Sequence, residues 1–338
     1  MIRPIRVAMI HDIEVRTPGG LLQWAYARRT EALAKYAPPD FEVLRYSDKE
    51  ADANWPKICR WADIVFALDY TLASAYRRRL SIGEYRGLFV ASFNKDSRSH
   101  QRTWEQIHQY VDWLIVNNAE RYYAGGCRER TSYVQNGYDP DLWHVTRPIE
   151  SRPDRVLWTG GDGPRKRKNY HEILAPLRGE LARRGFDCDF RVVRNITSEE
   201  VLPAAELLDW YNGGGYVLCA SETEGGGPNF VVEAAACGCV PVSTLVGGVP
   251  EYLVDGQNGV AVEPNPESIL SGLEAARSRR VELATRMVSD IGKLAYGAPG
   301  GPEGMFYGLF RRLVHSGPNG IPTYDCRNLP EGWGAVRF

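Results

Sequence analysis

Between Tyr216 and Gly259 the chain alternates short apolar runs with glycine turns, and few folds accept that alternation. Tyr216-Val217-Leu218-Cys219-Ala220 follows Gly213-Gly214-Gly215 and reads as a buried strand. The turn Glu224-Gly225-Gly226-Gly227-Pro228-Asn229 comes next. The run from Phe230 to Cys237 reads as a small apolar helix, with Gly238 as its stop. Val240 to Thr244 reads as another strand, and Gly247-Gly248-Val249-Pro250-Glu251 as a second turn. A strand, glycine turn, helix and strand in series predict a parallel sheet, whose ligands bind at the carboxyl ends of the strands.

A glycine turn that opens a helix suits an anion, because the first-turn N–H groups and the positive end of the helix dipole face it. Glycine also lets a ligand approach the backbone closely. Glu224 and Glu233 bracket the turn, and carboxylates suit sugar hydroxyls because they accept hydrogen bonds. One such turn alone is as readily a plain α/β crossover with solvated acids; the whole arrangement favours a ligand site.

A similar alternation fills the rest of the chain. Ile5–Ile10, Phe41–Leu44, Asp63–Ala67, Leu88–Phe93 and Trp113–Asn117 are predicted strands separated by helical stretches, one of them from Leu21 to Lys35. Arg155–Gly161 and Phe190–Val193 are strands of a second sheet. Helices are predicted from Tyr170, over Glu206–Tyr211, Pro266–Arg280, Val281–Leu294 and Met305–His315. The polar stretch 146–154, with Pro148 and Pro153, reads as the linker. A length of 338 residues suits two α/β domains, expected at 1–147 and 148–294, with 295–338 packing back on the first. No GxGxxG and no GxxxxGK[ST] occurs, so dinucleotide oxidoreductase and P-loop readings lose their main support.

The stretch Ser221–Gly259 resembles the C-terminal signature of GT-B glycosyltransferases, most closely glycosyltransferase family four. The resemblance is carried by Glu224, Gly225, Glu233, Ala234, Gly238, Pro241, Val242, Gly247, Gly248, Pro250, Glu251, Asn258 and Gly259. The family spaces its two Glu one residue closer than this chain does, which leaves Glu222 as a poorer alternative for the first. Gly19-Gly20 after the first strand and Asn136-Gly137-Tyr138-Asp139 resemble further family elements. So does the basic loop Arg165-Lys166-Arg167-Lys168 before Asn169.

The resemblance implies two facing Rossmann-like domains and a nucleoside-diphosphate sugar as donor, in a retaining reaction with no metal. Lys168 and either Arg165 or Arg167 would hold the diphosphate, with Gly19, Gly20 and the turn Gly225, Gly226, Gly227, Pro228, Asn229. Glu233 would bind the donor ribose and Glu224 the transferred sugar. Asn94 stands where the family often has His, so His100 is a candidate for the acceptor hydroxyl, with His11 as another. The acceptor is an unidentified hydroxyl on a glycan, a lipid-linked sugar or a metabolite. A nucleic-acid base hydroxyl is an alternative, and a sugar-nucleotide epimerase or a non-catalytic nucleotide-sugar-binding protein is the reading from another class. No cofactor is expected.

Asp187-Cys188-Asp189 superficially matches a DxD metal motif, but a turn before a strand favours Asp anyway. Net charge is −1, which gives no global field toward a polyanion or an anionic membrane. Arg77-Arg78-Arg79 with Tyr76 and Tyr85 is the local exception, a patch for peripheral membrane or polyanion contact. The seven cysteines include no CxxC and suggest reduced thiols in a cytoplasmic protein. The N-terminus lacks the apolar core of a signal peptide, and no run approaches transmembrane length.

Overall fold

The computed structural model describes residues 3–12, 25–73, 85–93, 106–119, 122, 129–161, 168–193 and 202–320. They form two compact units, the first holding the described residues up to Gly137 and again from Pro299, the second those from Tyr138 to Ala298.

The first unit is built on a six-stranded sheet in the order β2-β1-β3-β4-β5-β6. The strands are β1 (Ile5–His11), β2 (Phe41–Ser47), β3 (Ile64–Ala67), β4 (Leu88–Phe93), β5 (Trp113–Val116) and β6 (Thr131–Tyr133). Every pairing is parallel. All four residues of β3 and of β5 are buried, as expected of strands covered on both faces, and this is why they read as unbroken apolar runs. Helices α1 (Ala25–Lys35) and α2 (Asp48–Trp61) are crossovers. A capping box starts α2: the Ser47 hydroxyl accepts from the Glu50 N–H, while the Glu50 carboxylate accepts from the Ser47 N–H at 2.8 Å.

The last described α-helix of the chain, Pro302–Ser316, also belongs to the first unit. Its apolar face carries Phe306, Tyr307, Leu309, Phe310 and Leu313, all buried. Phe310 lies 5.4 Å, centroid to centroid, from Phe66 on β3, and the Tyr307 hydroxyl donates to the Leu33 carbonyl at 2.6 Å. Phe310 is wholly inaccessible, so Phe310→Ala is expected to destabilise the first unit by about 3–5 kcal/mol. Denaturant unfolding of the variant beside wild type checks this. A cost under about 1 kcal/mol would show that the site collapses around the missing ring.

The second unit has a five-stranded sheet in the order β11-β10-β9-β7-β8, again all parallel. Its strands are β7 (Arg155–Gly160), β8 (Asp187–Val192), β9 (Tyr216–Cys219), β10 (Val240–Ser243) and β11 (Val260–Ala261). Between β7 and β8 lies α3, a π turn at Tyr170–Leu174 that runs into an α-helix at Ala175–Arg183. Then follow α4 (Ala204–Asn212), α5 (Asn229–Ala236), α6 (Pro266–Ser278) and α7 (Arg280–Ile291). The helix Pro302–Ser316 is α8.

Three expectations shift. The stretch 146–154 lies inside the second unit: the Asn212 side chain accepts from the Thr146 N–H at 2.7 Å and from the Arg152 guanidinium at 2.9 Å. The division falls earlier because Tyr138 already exchanges backbone hydrogen bonds with Leu294 and Tyr296. Asp187-Cys188-Asp189 is strand and not turn. Asp187 accepts from Arg155 at 2.6 Å, and Asp189 accepts from the Trp210 indole at 2.6 Å. Tyr85 is buried against Phe89 and donates to the Leu88 carbonyl, so it offers no aromatic face to a membrane.

Candidate functional site

The second sheet changes direction at β7. The chain steps outward from β7 to β8, then crosses to the other side of β7 to form β9 and β10. Crevices for ligands open at such a reversal, outside the carboxyl ends of the strands. There Gly160 ends β7, Ser221 to Pro228 follow β9, and Thr244 to Glu251 follow β10.

Lys168 and Glu224 meet at this edge. The ammonium donates to Glu224 Oε1 at 2.8 Å, and the Ser221 hydroxyl donates to the same oxygen at 2.8 Å. The side chains of Lys168 and Glu224 are 30% and 15% exposed, so the pair is partly dehydrated yet open to solvent. The Lys168 stem lies along Gly160, where a Cβ would sit 2.9 Å from Lys168 Cδ, and its ammonium lies 5.7 Å from the centre of the Phe230 ring. Glycine at 160 is thus the condition for the lysine's path. Glu222 is exposed, and Glu224 is the carboxylate that meets the lysine.

The two glycine turns pack on each other. Gly247 has φ +59°, and a Cβ there would stand 3.0 Å from Glu224 Cβ and 3.2 Å from Gly227 Cα, so both conformation and space demand glycine. The Thr244 hydroxyl donates to the Ser221 carbonyl at 2.7 Å and ties the second turn to the end of β9. Gly225, Gly226 and Gly227 are half-buried, Pro228 is buried and Asn229 exposed. Helix α5 starts directly after Pro228, and no side chain caps it. Within its first turn the Val231 N–H donates to the Pro228 carbonyl at 2.9 Å, and proline at the cap leaves the turn without a side-chain cap bond.

Glu233 lies one turn into α5 and is 7% exposed. The hydroxyl of Tyr211, from the end of α4, donates to its Oε2 at 3.1 Å. The Tyr211 ring is itself fully buried and packs edge-on against Trp143 at 5.6 Å. Tyr252, just past the second turn, is 4% exposed, and its hydroxyl has no hydrogen-bond partner among the described residues. Burial, with Cys219 and the carboxylates of Glu251 and Glu224 adding to it, pushes that phenol well above its ordinary value and keeps it neutral.

Of the residues expected from sequence, Lys168, Glu224, Gly225, Gly226, Gly227, Pro228, Asn229 and Glu233 thus share one end of the second sheet. Gly19, Gly20, Asn94, His100, Arg165, Arg167 and the run Arg77-Arg78-Arg79 lie outside the described residues. His11 is the last residue of β1 and is fully buried at the carboxyl edge of the first sheet. Sequence reasoning did not single out Ser221, Tyr211 or Tyr252. The first could be sought beside any glycine turn at a strand end; the other two carry no local signal.

Comparison with known proteins bears on this unit most directly. Residues 142–277 match the sequence model of the family described as glycosyl transferases group 1. A D-inositol 3-phosphate glycosyltransferase from Paenarthrobacter aurescens is 26% identical over 175 residues, which are 49% of this chain and 42% of that protein. The chain therefore spans less than half the length of this curated relative.

Among solved structures, Alr3699/HepE from Anabaena, in complex with UDP and glucose, superposes with a TM-score of 0.64 at 13% identity, covering 91% of this chain and all of the other. A glycosyltransferase from Rickettsia africae superposes with a TM-score of 0.65 at 13% identity, covering 93% of this chain and 99% of the other. At that identity the likeness establishes the fold. With two parallel α/β units of the GT-B kind, the chain is similar through residues 142–277, the stretch that holds Lys168 and Glu224, to the group 1 glycosyltransferases.

Proposed function

We propose that the protein transfers a sugar from a nucleoside-diphosphate donor to a hydroxyl acceptor, with retention and without a metal at the site. The observation that carries this reading is the Lys168–Glu224 pair at the reversal point of the second sheet, flanked by two interlocked glycine turns and the N-terminus of α5. Lys168 and the α5 N–H groups provide positive charge for a diphosphate. Glu224 and Glu233 provide acceptors for hydroxyls. A UDP-sugar is the favoured donor, since Alr3699/HepE, which shares the fold, was solved with UDP and glucose.

The chemical problem is the leaving group. As the anomeric carbon–oxygen bond breaks, negative charge grows on the diphosphate oxygen that keeps the bonding electrons. Pre-aimed donors stabilise such charge best where water is partly excluded. Lys168 meets it as a cation once the diphosphate takes the place of the Glu224 carboxylate. Glu224, released from the lysine, turns its oxygens to the sugar hydroxyls. The acceptor oxygen attacks the face the leaving group vacates, and its proton passes to the departing phosphate. Cytoplasmic residence fits a soluble nucleotide-sugar donor; among the described residues, no helix is long and apolar enough to cross a membrane.

The test is a panel of nucleoside-diphosphate sugars, scored by mass spectrometry for release of the nucleoside diphosphate. UDP-glucose is expected to turn over, and to do so undiminished in excess EDTA. Loss of turnover in EDTA, restored by Mn²⁺, overturns the metal-free reading. Binding of UDP-sugars without any turnover on any acceptor would favour a nucleotide-sugar-binding protein instead.

A further inference from the structure

The residue after Lys168 has an unusual conformation. Asn169 has φ +52° and ψ +32°, left-handed backbone that non-glycine residues adopt at a cost. Its side chain is buried, 4% exposed, and its Nδ2 donates to the Ala220 carbonyl at 2.8 Å. Its own carbonyl accepts from the N–H groups of both Ile173 and Leu174, at 3.0 Å each. It therefore stands at the start of the π turn, a geometry that is rare and concentrated at functional sites.

The two loops that bear Lys168 and Glu224 are joined at two points. Asn169 holds Ala220 at the end of β9, and Lys168 holds Glu224 four residues further on. Only the first join is buried and independent of charge. When a diphosphate draws Lys168 away from Glu224, Asn169 still fixes where the lysine's backbone leaves the loop. Glycine at 160 leaves room for the stem beside it. A flexible lysine carries about 2 kcal/mol of rotamer entropy, so fixing its root before the ligand arrives favours binding.

We infer that Asn169 is a positioning residue for the donor diphosphate, acting through Lys168. The inference rests on Lys168 being a diphosphate ligand. It concerns neither the transferred sugar nor the acceptor.

Asn169→Gly tests it well, because glycine accepts the left-handed backbone without strain and removes only the side-chain tie. Asn169→Asp is the second variant: it keeps the shape and tolerates the conformation but cannot donate to Ala220. Binding of UDP is titrated calorimetrically for wild type, Asn169→Gly, Asn169→Asp, Lys168→Ala and the double variant Lys168→Ala with Asn169→Gly, after circular dichroism shows which of them are folded.

Each Asn169 variant is expected to bind UDP about tenfold more weakly than wild type, the order of a single hydrogen bond's net worth. In the Lys168→Ala background, Asn169→Gly is expected to cost almost nothing further, because the residue it positions is gone. A loss of the same factor in both backgrounds would mean that Asn169 merely supports the fold, and the inference is overturned. Wild-type affinity in a folded Asn169 variant overturns it too. If the wild type itself does not bind UDP, the donor-site reading fails first and takes the inference with it.

Discussion

Lys168→Ala is expected to lower kcat by about 10²–10³, the cost of removing one charge-stabilising donor from a comparable site. The loss in UDP affinity should be smaller than that, though at least the roughly tenfold expected of the Asn169 variants that act through this lysine. An interaction that strengthens as charge develops lowers the barrier more than it tightens the ground state. The free protein sharpens this expectation, because the ammonium already has a partner in Glu224 at 2.8 Å. Ground-state binding of the diphosphate exchanges one anion for another, so its net gain is modest. The transition state presents more charge than either.

Truncation of the lysine also leaves Glu224 in its partly buried place without the cation, though still with the Ser221 hydroxyl. Some stability should go with it, and steady-state rates must be compared at a temperature where both proteins are folded. Lys166→Ala provides the contrast: Lys166 lies outside the described residues, and its substitution should be nearly silent if that side chain only faces solvent. Equal and mild effects from the two substitutions would mean that the basic run is an ordinary solvated loop.

The sheets were legible because parallel strands buried on both faces must be apolar throughout. Val90 and Ala91, or Val217 and Leu218, carry that requirement in their own side chains. β11 was not legible: two half-buried residues, Val260 and Ala261, gain their strand geometry only from pairing with Val242 and Ser243. Asp187 and Asp189 misled because the turn preference of Asp is a local signal. The pairing with β7 that makes them strand residues, and the side-chain bonds from Arg155 and Trp210, come from distant parts of the chain.

The site shows the same division. The glycines and the two Glu could be placed from the turn they bracket. The extra residue in that turn left Glu222 and Glu224 open. Only the fold, which brings Lys168 across from a loop 56 positions earlier, distinguishes them. Tyr211 was invisible for the same reason: an apolar-looking ring in α4 gives no hint that its hydroxyl meets a carboxylate in α5.

That hydroxyl shapes the second large effect, at Glu233. Glu233→Ala is expected to abolish most of the thermal protection that UDP gives, because a ribose would lose its acceptors. Hydrogen bonds to a charged group contribute roughly 1.5–3 kcal/mol each. Losing about 2 kcal/mol weakens binding roughly 30-fold. At a UDP concentration near 100 times the wild-type Kd, ligand linkage stabilises the wild type by about 2.7 kcal/mol and such a variant by only about 0.9 kcal/mol.

The baseline moves as well. Alanine leaves the buried Tyr211 hydroxyl without its acceptor, which itself costs about 1–3 kcal/mol. The ligand-free melting temperature should therefore fall, and the quantity to compare is the increment that UDP adds. Tyr211→Phe combined with Glu233→Ala removes both polar partners and should recover part of the lost baseline without recovering the increment. A UDP-dependent increment in Glu233→Ala equal to that of wild type would show that the carboxylate serves the fold and not the ribose, which would have to find its acceptors elsewhere.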